Sequence, residues 1–195
     1  MSKAEKTRSF IIEKAAPIVN RNGIAGTSIT DIMEATQLAK GGIYGNFESK
    51  EEICGEALDY LLCTTRTAIR QKMAGLATSK DKLFAMFDYY EENLLAEGNY
   101  GCPMMNFGVE SDDTDVSIRQ RVSKAIVETE QAMRSLLQAG VDRGEFVSSL
   151  DARAVALKAF TMIEGGMWMC RVIGNKQRMR EIVAMLKNEI EGYRK

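Results

Sequence analysis

Apolar side chains recur at helical spacing along the chain, and no segment shows the alternating apolar and polar pattern of a β-strand. Only two of the 195 residues are proline, at positions 17 and 103, so long helices are permitted. The sequence therefore predicts an all-α fold of about nine helices.

Apolar periodicity and capping residues set the predicted bounds of the helices. Gly23 is expected to end the first helix, and Thr27 or Ser28 to cap the second, with Asp31 three residues after Ser28. Ser49 and Glu52 form a capping box that opens the fourth helix. The predicted helices are 3–22, 29–36, 39–46, 49–74, 80–97, 104–109, 115–143, 151–174 and 175–194.

Composition disfavours an enzyme. The chain contains no histidine, which excludes Ser/His or Cys/His nucleophilic catalysis and histidine-ligated metals. The four cysteines show neither a CxxC pair nor metal-ligand spacing and are expected to be inert thiols in a reducing compartment. We therefore expect no catalysis, no metal and no cofactor.

No segment is expected to enter a membrane. The N-terminus is polar where a secretory signal would be apolar, so the chain is expected in the cytoplasm. Residues 154–173 are apolar and long enough to span a bilayer, but they include Lys158, Glu164 and Arg171. A buried helix is the better interpretation of that stretch.

The segment 27–47 reads as a helix, a tight turn and a second helix. Gly41, Gly42 and Gly45 lie in that second helix, where each glycine costs roughly 1 kcal/mol relative to alanine. Their missing side chains let a backbone approach a large object closely, and Lys40, Tyr44 and Asn46 are able to donate hydrogen bonds to it. Phosphate oxygens and base edges accept such bonds.

Two other interpretations of the glycines are a plain surface loop between helices and a nucleotide-binding loop. The second lacks both a preceding strand and the GxGxxG or GxxxxGK[ST] spacing. The helix–turn–helix spacing favours a DNA-reading helix, as do the apolar anchors expected to bury one face, namely Ile29, Ile32, Leu38, Ile43 and Phe47.

Residues 7–58 resemble the N-terminal DNA-binding domain of the tetracycline-repressor (TetR) family of bacterial transcription regulators. The matching residues, in chain order, are Thr7, Arg8, Ile11, Ile12, Ala15, Ala16, Gly23, Thr27, Ser28, Ile29, Asp31, Ile32, Lys40, Gly41, Ile43, Tyr44, Phe47, Ser49, Lys50 and Glu51. Three positions depart from the family pattern. Asn46 replaces a usual His, Gln37 a usual Gly, and Ala39 a usual Ser or Thr, so a cap and a phosphate contact are lost at Ala39.

The resemblance implies a helix-turn-helix domain over residues 1–48 and a helical ligand-binding and dimerisation domain over 49–195. It implies a ligand-responsive regulator, more often a repressor, whose homodimer binds a palindromic double-stranded DNA operator. The implied phosphate contacts are Thr27, Ser28, Tyr44, Asn46 and Lys50, and Lys40, Gly41 and Gly42 are expected to face the bases. Tyr44 has an alternative role as a core aromatic with its hydroxyl at the rim.

The rest of the chain is rich in methionine and aromatic side chains, which suit a pocket for a largely apolar small-molecule effector. The alternative is that they form plain core. The candidate pocket residues are Phe84, Phe87, Tyr90, Met104, Met105, Met133, Phe160, Glu164, Met167 and Trp168.

The last two predicted helices are apolar around much of their circumference, which favours a four-helix interface with a second copy. Gly165 and Gly166 would permit close approach there; burial within one chain is the alternative. Glu164 lies in this apolar stretch. We expect it either to pair with a cation, to lie at the edge of the interface, or to anchor a ligand.

A helical carrier or enzyme acting on a hydrophobic small molecule is the runner-up function. Such an enzyme would use a cysteine or the acidic cluster of Glu110, Asp112, Asp113 and Asp115. That cluster precedes a helix and is more simply a cap with a solvated loop.

Overall fold

The computed structural model describes residues 2–93, 96 and 98–195. Within these residues the chain forms nine α-helices and no strand, apart from an isolated bridge between Phe146 and Arg194. The helices are α1 (Lys3–Asn22), α2 (Ile29–Thr36), α3 (Lys40–Tyr44), α4 (Lys50–Met73), α5 (Ser79–Asn93), α6 (Pro103–Ser111), α7 (Val116–Asp142), α8 (Ala152–Ile173) and α9 (Gln177–Gly192). The predicted all-α fold is confirmed.

The bounds of α1 and α2 are those predicted, because capping residues mark their ends. Gly23 ends α1 with a φ of 80°, a left-handed conformation that favours glycine. Helix α3 is shorter than predicted, since Ala39 offers no side-chain cap. The predicted end of the fifth helix, at residue 97, lies outside the described residues.

The chain divides into two compact units. The first unit comprises Met1–Thr65 and Tyr100–Lys124, and the second comprises Arg66–Asn99 and Ala125–Lys195. The first unit thus includes α6, which is distant from α1 in the sequence. The division into domains at residue 48 stays a prediction.

Helices α1, α2 and α3 of the first unit share one apolar core. Helix α1 packs against α2 and α6, and α2 packs against α3. The core residues are Ile11, Ile12, Ala15, Ile32, Ile43, Phe47 and Ile53, with Ile29, Met33 and Leu38 packed against them. All the predicted anchors of the helix–turn–helix segment are in this cluster, so the opposite face of α3 is left to solvent.

In the second unit, α5, α8 and α9 pack against one another. Gly166 lies where α8 meets α9, and a Cβ there would overlap the side chains of Ile182 and Met179. Gly140 on α7 similarly makes room for the fully buried ring of Phe146. These two glycines permit close packing inside the unit.

No helix of the described residues is long and apolar enough to cross a membrane. Among the four cysteines, Cys54, Cys102 and Cys170 are buried, and Cys63 is exposed. Burial raises the pKa of the Cys54 thiol to about 11. Since the thiolate is the reactive form, Cys54 is an unreactive core residue at neutral pH.

Candidate nucleic-acid interface

Helix α2 begins at a capping box. The Asp31 amide donates to Ser28 Oγ at 3.2 Å, and Asp31 Oδ2 accepts from the Ser28 amide and hydroxyl, each at 2.7 Å. Hydrogen bonds from the Ser28 backbone and side chain hold the pKa of the Asp31 carboxyl below its usual range. Of the two predicted caps, the structure therefore selects Ser28, which is exposed and accessible to a phosphate.

The turn between α2 and α3 is closed by Gln37, which has a φ of 57°. No other non-glycine residue in the described chain has a positive φ. Gln37 Nε2 donates to the carbonyl of Glu34 at 2.6 Å. A left-handed conformation costs a residue with a Cβ about 1 kcal/mol. Gln37 adopts it nonetheless, so the turn keeps its tight geometry without the glycine that is usual at this position.

The solvent face of α3 carries Lys40, Gly41 and Tyr44. The Tyr44 side chain is 42% exposed, so its alternative as a core aromatic is wrong. Lys40 Nζ lies 5.8 Å from the centroid of the Tyr44 ring. Gly42 is partly covered, because a Cβ there would lie 3.5 Å from the Cβ of Leu38.

Gly41 differs from the other glycines of this segment. A Cβ built on Gly41 would meet no atom within 4 Å, and its φ is not positive. Neither the packing of the chain nor its backbone conformation therefore requires glycine at this position.

Side chains from two helices form hydrogen bonds with the loop from Gly23 to Thr27. Lys50 Nζ, on α4, donates to the carbonyls of Ile24 at 2.8 Å and Thr27 at 3.1 Å. The Glu110 carboxylate, on α6, accepts from the Ile24 amide and covers Gly23. Thr27 is buried, and its hydroxyl donates to the Gly23 carbonyl at 2.7 Å.

Thr27 and Lys50 thus direct hydrogen bonds into the protein, and their contact with phosphate stays a prediction. The hydrogen bond from the Ile24 amide to Glu110 joins residues 86 positions apart in the sequence, so no local sequence pattern predicts it. Asp115, in the same acidic cluster, accepts from the Ile118 amide at 3.0 Å, as expected of a helix cap.

Arg8 on α1 binds the residues that follow α3. Its Nη1 donates to the carbonyl of Asn46, its Nε to Glu56 at 3.2 Å, and its Nη2 to the carboxylates of Glu52 and Glu56. The guanidinium carbon lies 4.1 Å from the centroid of the Phe47 ring. In the sequence, Arg8 is only one of the residues that match the TetR family pattern, and no local signal predicts this network.

The carboxylates around Arg8 also order the start of α4. The Glu52 amide donates to Ser49 Oγ at 3.1 Å, which confirms half of the predicted capping box. Glu52 Oε2 accepts from the amide of Glu48 at 2.7 Å. Hydrogen bonds to Arg8 and to the Glu48 amide lower the pKa of Glu52, so it is ionised at neutral pH.

Two family models match the chain. One is described as bacterial regulatory proteins of the tetR family and matches residues 11–57. The other is described as the tetracyclin repressor-like C-terminal domain and matches residues 79–186, more than half of the chain. The chain belongs to the TetR family.

Known transcriptional regulators resemble the chain over most of its length. A solved TetR regulator from Chloroflexus aurantiacus is 34% identical with a TM-score of 0.93, covering 100% of this chain and 98% of that one. The regulator TtgR of Pseudomonas putida is 28% identical over 167 residues, which are 83% of this chain and 79% of TtgR.

A more distant solved structure shares the fold. It is a cysteine mutant of the regulator CifR bound to a 26-base-pair operator, with 16% identity, a TM-score of 0.83, and coverage of 92% of this chain and 94% of that one. Together the family and its relatives make this chain a helix-turn-helix transcriptional regulator.

The candidate effector-pocket residues of this TetR-family chain differ in burial. Met104 and Met105 lie on α6 in the first unit, and the others lie in the second unit. The buried members are Phe87, Tyr90, Met104, Met133 and Met167, and the partly buried ones are Phe84, Met105, Phe160 and Glu164. Trp168 is 57% exposed, unlike a residue that lines an enclosed pocket. The pocket stays a prediction.

Three large apolar side chains of α8 are exposed along one side of the helix. They are Leu157, Trp168 and Val172, and Thr161, Glu164 and Arg171 lie on the same side. Gly165 lies between them in the sequence, and a Cβ there would meet no atom within 4 Å. On α9, Met185 is 53% exposed. Of the two glycines predicted to permit close approach of a second chain, Gly166 is instead packed against α9 of its own chain.

Proposed function

We propose that this TetR-family protein is a ligand-responsive repressor that binds a palindromic operator as a homodimer. Helix α3 enters the major groove, and Gly41 is the observation that carries this assignment. The glycine costs α3 stability, yet none of the described residues fills the space beside it, and its backbone conformation does not require glycine. A DNA groove that lies against the helix would require a residue without a side chain.

The residues around Gly41 supply hydrogen-bond donors. Lys40 and Tyr44 are exposed on α3, and Ser28 is exposed at the start of α2. In this arrangement Ser28 and Tyr44 bind phosphates, and Lys40 reaches a base edge or a phosphate. The other predicted contact residues lie beneath this surface in partly or fully buried positions and help to shape it: Thr27, Gly42, Asn46 and Lys50.

The exposed apolar side chains of α8 support the homodimer. A stripe that includes Leu157, Trp168 and Val172 is costly to leave in water, and the same stripe on a second copy covers it through a two-fold axis. Two DNA-reading helices related by that axis would bind half-sites about 34 Å apart, one turn of DNA.

The Gly23–Thr27 loop offers a route by which an effector alters DNA binding. Glu110 on α6 binds the amide of Ile24 and Lys50 on α4 binds its carbonyl, in the loop that leads into α2. An effector that prefers a shifted α6 would move the start of α2 and lower operator affinity by its differential affinity for the two states.

Selection of bound sequences from random DNA duplexes at about 0.15 M salt tests the proposal. The full chain is expected to enrich a palindrome, and a Lys40→Ala plus Tyr44→Ala variant is not. The matched control is Tyr60→Ala plus Lys72→Ala on α4, which removes the same side-chain types outside α3. A folded, dimeric protein that enriches no sequence would contradict the proposal.

A further inference from the structure

Helix α3 has few contacts of its own that define its orientation. It contains five residues, and Ala39 gives it no side-chain cap. An isolated helix of this length is unstable, because nucleation costs more than one turn of hydrogen bonds returns. The position of α3 must therefore come from its neighbours in the folded unit.

Apolar packing holds the buried face of α3, since Ile43 belongs to the core of the first unit and Leu38, just before the helix, packs against that core. The segment that follows α3 is also held by Arg8. The guanidinium donates to the Asn46 carbonyl and stacks on the Phe47 ring, which is 2% exposed. Arg8 is in turn fixed by Glu52 and Glu56 on α4. One side chain thus joins α1, the end of α3 and the first turns of α4.

All three nitrogens of the Arg8 guanidinium donate to oxygens of the protein. The charge is also compensated within the chain, because both carboxylate partners lie on the adjacent helix α4. Four of the five N–H groups of the guanidinium are used in these bonds, so a phosphate that binds Arg8 through two hydrogen bonds would have to displace one of the protein partners. The geometry therefore directs this cation inward, in contrast to the exposed Lys40.

We infer that Arg8 is a positioning residue for DNA reading, which sets the angle of α3 through Asn46 and Phe47 without touching DNA. The inference rests on the proposed function for its DNA readout. Lysine at this position would keep the charge but lose the planar fork that binds a carbonyl and two carboxylates together. Helix α3 would then spend only part of its time in the orientation that reads DNA.

The test compares the unmodified chain with Arg8→Lys and Arg8→Gln. The matched control is Arg121→Lys, because Arg121 pairs with Asp59 in the same unit. Affinity is measured by fluorescence anisotropy for the selected operator and for a scrambled duplex, across about 0.1 to about 0.3 M salt. Melting temperature and hydrogen–deuterium exchange of residues 40–47 are measured on the free proteins.

We expect Arg8→Lys to weaken operator binding about tenfold or more, since the competent fraction of α3 falls, with scrambled-duplex affinity unchanged. Amides of residues 40–47 should exchange faster, while Arg121→Lys changes neither readout. If Arg8 contacts a phosphate instead, Arg8→Lys will retain operator affinity, and Arg8→Gln will lower the salt slope by about one.

The two proposals fail differently. If the unmodified chain enriches no operator, the proposed function fails, and the exchange measurement still decides whether Arg8 holds α3. Unchanged exchange in residues 40–47 of both Arg8 variants would overturn the positioning role. A large fall in melting temperature with equal loss of affinity for both duplexes would also overturn it, because that pattern marks a residue needed only for folding.

Discussion

Replacement of Gly41 by alanine separates what the fold needs from what DNA binding needs. A Cβ at Gly41 would meet no atom within 4 Å, so the methyl group is accommodated without strain. Alanine favours a helix over glycine by up to about 1 kcal/mol, which raises the melting temperature of a chain of this size by up to about 4 °C. Gly41→Ala should therefore fold at least as stably as the unmodified protein.

The same methyl group should weaken operator binding. It occupies the surface by which α3 approaches the groove, so the helix must retreat and lose base contacts, each of which is worth about 1–3 kcal/mol. We expect a loss of about tenfold to hundredfold in operator affinity, measured by fluorescence anisotropy beside a calorimetric melting curve.

Gly192→Ala is the matched control, because Gly192 ends α9 and a Cβ there would also meet nothing within 4 Å. It should leave operator affinity unchanged. The reasoning is refuted if Gly41→Ala binds the operator as tightly as the unmodified chain, since the open space beside Gly41 would then not face DNA. A marked loss of stability would refute the claim that the space is open.

Lys50, Trp168 and Asp31 each allow a further test. Lys50→Met should lower the free energy of unfolding in urea by about 1–3 kcal/mol, because the carbonyls of Ile24 and Thr27 lose their charged donor; full stability with a lower salt slope of DNA binding would instead make Lys50 a phosphate contact. Trp168→Glu should yield a folded monomer by sedimentation, and a persistent dimer would exclude α8 from the interface. Because the pKa of Asp31 is lowered in the folded protein, its ionised form contributes stability that is present above about pH 4 and is lost as the pH falls through the folded pKa. Asp31→Asn should therefore weaken the fall of the melting temperature with decreasing pH. An unchanged dependence of melting temperature on pH would contradict this.

Much of the fold is local and could be predicted. Helices α1 and α2 have their predicted bounds, because Gly23 and Ser28 act through the backbone of their immediate neighbours. The core anchors were predictable for the same reason, since the spacing of Ile32 and Ile43 determines which face of each helix is apolar.

The candidate site was predictable as residue types at given positions, but its internal contacts were not. Lys50 was expected to meet a phosphate, and the structure shows its ammonium on two loop carbonyls. Sequence spacing cannot distinguish these roles, because both use the same donor. Gly166 was expected either between subunits or within one chain, and it lies against α9 of its own chain; the sequence could not decide, since close packing on either partner needs the same small residue.

The sequence by itself determined that the chain is helical, where its DNA-reading segment lies, and which family it resembles. Those features depend on apolar spacing, on caps and on a motif that spans a short stretch of chain. Only the tertiary structure decided what holds that segment in place. Arg8 binds Asn46 across 38 residues and Glu110 binds Ile24 across 86. The physical reason is that a charged side chain can satisfy its hydrogen bonds with many partners, and only the packed helices select among them.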